Sequence, residues 1–296
     1  MCYTILVGYI PGKRRAAMLK KKIVIAVLVL IVITGGILNG CTTVTGDKAL
    51  SASWAQKTVN AMRVLQPQII PGGLATNSEK SGGEFDVNNY FPVLKHLSME
   101  KGYVLDYVYT NDGSGGLPIL FTRAKEQVPF SIFDEYAAAS TNVTRPESDK
   151  SLIWLVEEGQ SGVFAFGNKI NVQDSNEGYF EYTVLQIIGS QFYLFWHANY
   201  NDARIVCVPE ELENVLKDID SSGYATIDGT FKASARALDL QPVVEVTGDT
   251  VTVKMVVFSK WGGFSRYVFT IDRAAPHSVT GFNKEPLLEY QSGLMF

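Results

Sequence analysis

The sequence predicts an α+β fold, mostly antiparallel β-sheet with a few flanking helices. Three observations carry this reading. Most segments between residue 103 and the C-terminus alternate or run apolar like strands, and they are punctuated by Gly-rich turns. Gly248-Asp249, between two such runs, is a two-residue hairpin signal. Only a few stretches carry a helical stripe, and the chain shows no internal repeat.

Residues 51–66 read as a helix. Ser51 or Ser53 caps it, Trp54, Thr58, Ala61, Met62 and Leu65 share one face, and Pro67 ends it. Residues 71–89, rich in Gly, Ser and Asn, read as a long loop. Pro92 suits the first turn of a short helix reaching Glu100, with Val93, Leu94 and Leu97 inward. Residues 103–109 alternate and are expected to pair with 118–123 across the loop 111–116. A second pair is expected at 152–157 and 163–166 around Gly159. Residues 179–188, 192–199 and 203–208 then read as a meander, turning at Gly189-Ser190 and Asn201-Asp202.

Pro209 opens a helix with Glu210 and Glu211 in its first turn, where the helix dipole favours anions. Leu212, Val215, Leu216 and Ile219 form its apolar stripe. Residues 243–246 and 251–258 flank the hairpin turn, Gly262-Gly263 leads into 265–271, and 287–290 reads as an edge strand. Residues 51–296 are thus expected to be one α+β domain, with a weak boundary in the Ser, Gly and Asp-rich stretch 220–230.

The N-terminal region reads as an address. The first 40 residues hold six Lys or Arg and no Asp or Glu. Lys20-Lys21-Lys22 precede an unbroken apolar run, 23–33, and a small residue, Gly40, precedes Cys41. A basic region, an apolar region and a small residue before a cut describe a secretory signal peptide. Leu38, Gly40 and Cys41 stand at the −3, −1 and +1 positions of a lipobox, so the segment resembles the signal of bacterial lipoproteins. Asn39 at −2 is a less usual choice. The resemblance covers this segment only. It implies cleavage of residues 1–40, a diacylglyceryl group and fatty acid such as palmitate on Cys41, and a tether over 41–50. Thr42 rather than Asp after the cysteine implies the outer membrane in a double-membraned host. Two competing readings are a permanent anchor and a core helix. Residues 23–38 fall short of the roughly 20 apolar residues a span needs, and the flanking lysines and Gly-rich exit disfavour a core helix. Met18-Leu-Lys-Lys-Lys makes a compact start, so residues 1–17 are expected to lie ahead of the true initiation site.

Taking the six basic residues of the leader from the total of 26 leaves 20 against 30 acidic residues, a net charge near −10. That excludes a nucleic-acid footprint, which selects basic surfaces. Beyond Cys2 and Cys41, only Cys207 remains, inside an apolar run. No internal disulfide is expected, and the thiol reads as buried and inert.

Complete catalytic signatures are absent from the sequence. Asp112-Gly113-Ser114-Gly115-Gly116 exchanges the first two residues of the trypsin-like nucleophile loop and reads as a hairpin turn. Asp106 interrupts an apolar strand. It is expected either to pair with Arg123 or to serve a site. His197 stands where a strand's apolar end meets a polar turn. It reads as a turn-anchoring histidine or as a general base oriented by Asp202. His96 and His277 lack metal-ligand spacing, and neither metal nor cofactor is expected. Among 16 Phe, 14 Tyr and 4 Trp, the rings at strand ends or turns are Tyr107, Tyr109, Trp196, Trp261 and Phe264, candidates to stack on a sugar or peptide. Two functions follow as expectations. One is a membrane-tethered, non-catalytic binding or structural module of the cell envelope. The other is an envelope hydrolase using Asp106, His197 and Asp202.

Overall fold

The computed structural model describes residues 49–140, 166–196, 201–222 and 227–289. The leader, Cys41, His197 and the expected strands 152–157 and 163–165 lie outside these residues. The chain is an α+β protein in which every described strand pairing is antiparallel.

Helix α1 spans Ala52–Leu65, and the Ser51 hydroxyl accepts from the backbone N–H of Trp54 at its start. Its buried face is Ala55, Gln56, Thr58, Val59 and Met62. The expected loop 71–89 contains a short helix, α2 (Gly72–Asn77), and a 3-10 turn, Val87–Tyr90, capped by the Asp86 carboxylate. The helix expected from Pro92 is absent. Residues 91–96 turn, and Leu97–Met99 form strand β1, which pairs with β4 (Ile170–Val172). Pro92 follows the 3-10 turn rather than opening a helix, while Leu94 and Leu97 are buried as expected.

Strands β2 (Tyr103–Asn111) and β3 (Gly115–Ala124) form the expected hairpin, with Asn111 opposite Gly116. The Asp112 carboxylate accepts from Ser114 N, Ser114 Oγ and Gly115 N, which closes the turn as an Asx turn. A short helix, α3 (Phe133–Ala139), packs its Phe133 under Val108 and Phe121.

The expected meander is overturned. Residues 176–188 form helix α4 (Asn176–Ile188), started by the Ser175 hydroxyl, which accepts from Gly178 N. Gly178 is required there, because a Cβ would stand 2.2 Å from Gln173 O. Every residue from Gly178 to Ile188 is buried. A helix wet on no side carries no amphipathic stripe, so its aromatic and β-branched residues imitate a strand. The next expected strand shrinks to β5 (Phe195–Trp196), paired with the start of β3.

The third sheet has the order β10-β9-β8-β6, using β6 (Arg204–Val206), β8 (Thr250–Ser259), β9 (Gly263–Asp272) and β10 (Val279–Leu288). Strand β7 (Val243–Thr247) shares the β6 edge of β8, turning through Gly248-Asp249 as expected. The edge strand at the C-terminal end is longer than expected, because β10 follows almost the whole of β9. Helix α5 (Pro209–Ser222) buries Leu212, Val215, Leu216 and Ile219 as its stripe requires.

Helix α6 (Gly229–Arg236) starts inside the expected boundary stretch, with the Asp228 carboxylate as its cap. Ile219 and Ile227 share one apolar cluster with Val206, Val256 and Phe264, and Gly46–Phe296 is a single unit. Helix α4 lies at the centre of the larger core, against α1, β1, β4, β7 and β8.

Candidate functional site

Two clefts hold the carboxylates singled out from the sequence. The first, about 480 Å³, lies between the segment 80–88 and the β2–β3 hairpin. Asp106 sits on β2 with Phe121 directly opposite, which places Arg123 diagonally on the same face. Arg123 Nε donates to Asp106 Oδ2 at 2.6 Å, and Lys80 Nζ donates to Oδ1 at 2.8 Å. Oδ1 also accepts from Tyr107 N. Lys80 further donates to Tyr107 O and stands 4.7 Å from the centre of the Tyr107 ring. The Asp106–Arg123 pair expected from the sequence is present, joined by a second cation.

The second cleft, about 570 Å³, lies at the C-terminal end of α1. Asn60, Arg63 and Val64 of α1 form one wall. Gln191 and Leu194, after α4, contribute another, with Asp202, Arg204 and Glu211 beside them and Lys260 from the β8–β9 turn. Both oxygens of Asp202 accept hydrogen bonds. Its Oδ1 accepts from Ser259 Oγ and its Oδ2 from Lys260 N, both at 2.7 Å, tying the approach to β6 onto the β8–β9 turn. Desolvation dominates its environment and pushes its pKa up to about 6.

Arg204 is neutralised by Glu211 and Asp218. Arg63 and Lys260 form no ion pair among the described residues. Arg63 donates to neutral acceptors, Gln66 Oε1 and Ala203 O. Burial lowers its pKa to about 10, since a guanidinium partly stripped of water holds its charge less firmly. Lys260 Nζ lies 5.0 Å from the centre of the Trp261 ring. Gln191 is buried. Its Nε2 donates to Asn201 Oδ1 at 2.8 Å, but its Oε1 has no partner among the described residues.

The structure does not bring Asp106 and Asp202 together. They line separate clefts with no wall residue in common, and His197 lies outside the described residues. Three of the expected stacking rings are corrected. Tyr107, Tyr109 and Phe264 are buried, because the strands carrying them have apolar cover on the side these rings face. Trp196 is 66% exposed, Phe195 beside it is 38% exposed, and Trp261 is half-buried. Cys207 is buried, and desolvation pushes its thiol up to about 12.

A further acid–base pair went unread in the sequence. Glu181, buried in α4, accepts from His96 N at 2.7 Å and contacts His96 Nδ1 at 2.8 Å. Burial raises the Glu181 pKa, and the pair fastens β1 to α4. Arg63, Lys260 and Gln191 also carried no sequence signal, since each is isolated in the chain and joined only by the fold.

No group of three or more His, Cys, Asp or Glu able to hold a metal occurs among the described residues, and none of their helices is long and apolar enough to cross a membrane. Comparison of the chain with family models, curated proteins and solved structures finds no match.

Proposed function

We propose that this chain is a lipid-tethered, non-catalytic binding module of the bacterial cell envelope, anchored through Cys41 and facing the periplasm or exterior. The address rests on the basic, apolar and Leu38-x-Gly40-Cys41 pattern of the leader. Two acyl chains on one cysteine make a long-lived tether, because each buried methylene contributes about 0.8 kcal/mol and a single chain holds only marginally. In a double-membraned host, Thr42 favours the outer membrane.

The binding role rests on one observation, the cleft at the end of α1. There Arg63 and Lys260 form no ion pair among the described residues, while both Asp202 oxygens are engaged. Unmatched cations attract a ligand, whereas an engaged carboxylate is poorly placed to shuttle protons. The tether joins the domain at the other end of α1. Fourteen helical residues rise about 21 Å, so the first residue of α1 stands about that far from its C-terminal end, where the cleft lies.

The test is mass spectrometry of the protein from membranes of a bacterial host, with and without Cys41→Ser. The expected wild-type product starts at Cys41 and carries a diacylglyceryl group, and C41S accumulates as unlipidated precursor. A wild-type chain that keeps its leader and carries no lipid would overturn the address.

A further inference from the structure

We propose that the cleft at the C-terminal end of α1 binds a saccharide bearing a single carboxylate. This rests on the binding-module reading above and assigns it a ligand class.

The anionic group follows from charge. Arg63 uses its guanidinium on two neutral acceptors, leaving N–H groups to spare among its five. Lys260 carries a second positive charge to the same cleft. A cation taken partly out of water with its counter-charges beyond bonding contact is costly, and an incoming carboxylate relieves that cost. Asp202 and Glu211 line the same walls, so a singly charged carboxylate is accepted more readily than a phosphate dianion.

The polyhydroxyl body follows from the neutral polar groups. The carboxamides of Asn60, Gln68 and Gln191 line the cleft, and each both donates and accepts, as sugar hydroxyls do. Gln191 is 2% exposed, and its Oε1 lacks a donor. Buried acceptors are almost always matched, so this one marks a place for a hydroxyl.

The flat apolar face of a sugar ring finds its surface at the rim. Val64, 85% exposed, lines the cleft with Leu194, and in the chain Leu194 is followed by the exposed Phe195 and Trp196. Tyr193 and Trp196 hold φ values of 51° and 46°, the left-handed region. Backbone held there by residues other than glycine concentrates at ligand-contacting segments.

The experiment is isothermal titration of the full lipidated protein, in a polyoxyethylene detergent free of sugar, with glucuronic acid and N-acetylmuramic acid. Glucose and acetate are the controls. The acidic sugars are expected to bind, with glucose and acetate at least tenfold weaker. Arg63→Gln and Lys260→Gln should each weaken acidic-sugar binding tenfold or more, and Lys254→Gln, at a half-exposed strand position outside the cleft, should not. Lys260→Gln keeps the test decisive if Arg63→Gln fails to fold, because among the described residues the Lys260 ammonium makes only a ring contact. Equal binding of glucose or acetate would overturn the ligand class. Absence of binding to either acidic sugar, or full affinity in Lys260→Gln, would overturn the site. A lipidated Cys41 with no sugar binding removes this site and leaves the address standing, while sugar binding by a chain without lipid does the reverse.

Discussion

In the cleft around Asp106, one carboxylate meets two cations at bonding distance. In the cleft at the end of α1, Asp202, Arg63 and Lys260 share walls and none of the three forms an ion pair among the described residues. The first arrangement is electrically closed and holds the segment 80–88 onto the hairpin. The second is open: Arg63 and Asp202 make their hydrogen bonds to neutral groups, with opposite charges nearby but out of bonding contact. Similar residue types thus build a clasp in one place and a receptive surface in the other. The contrast separates a charge kept for stability from one kept at a cost.

The largest effect expected from this contrast is on Asp106. Asp106→Ala strands Lys80 and Arg123 together in a partly buried cleft. It should destabilise the soluble chain 42–296 by about 3–5 kcal/mol in urea unfolding. A loss under about 1 kcal/mol would mean that the clasp holds nothing.

Asp202 comes next. Its pKa is raised to about 6 in the fold against an ordinary value of 3.8, so the folded state keeps its proton longer than the unfolded chain does. Its contribution to stability is therefore present below about pH 4 and is lost as pH rises to about 6. The loss is on the order of 1–3 kcal/mol. Thermal unfolding across pH 4–7 should show that decline in the wild type and a flatter profile in Asp202→Asn. Identical profiles would refute the desolvated carboxylate.

Arg63→Met should change stability by no more than about 1 kcal/mol in either direction, because relief of the desolvated charge offsets two lost hydrogen bonds. A loss near 3 kcal/mol would move Arg63 into the closed class with Arg123. The smallest effect is at Cys207, whose buried, high-pKa thiol should stay unmodified by iodoacetamide at pH 8 until the chain unfolds. Rapid labelling of the native chain would contradict its burial.

Much of this architecture is legible residue by residue. The alternation of 103–109, the Gly248-Asp249 turn and the stripe Leu212, Val215, Leu216, Ile219 each announce elements with one wet face, and all three are present. The reading fails at α4, because periodicity records the contrast between a wet and a dry side and α4 has none. It fails again at Pro92, where a proline after a 3-10 turn resembles a proline opening a helix. Asp106 announces its partner through strand register, an argument of local geometry. The open cleft is different. Arg63, Gln191 and Lys260 stand 128 and 69 positions apart in the chain, and only packing unites them.

The all-round burial of α4 also governs the order in which the protein becomes itself. A helix with no wet face gains nothing from forming alone, since its stability comes from the surfaces that enclose it. Those surfaces include β7 and β8, which the ribosome makes more than fifty residues later. A nascent chain stopped before Ser259 holds an apolar segment that α1, β1 and β4 cover only in part, and must keep the rest from other chains. The N-terminal half therefore waits, and the arrival of one late hairpin completes both halves together.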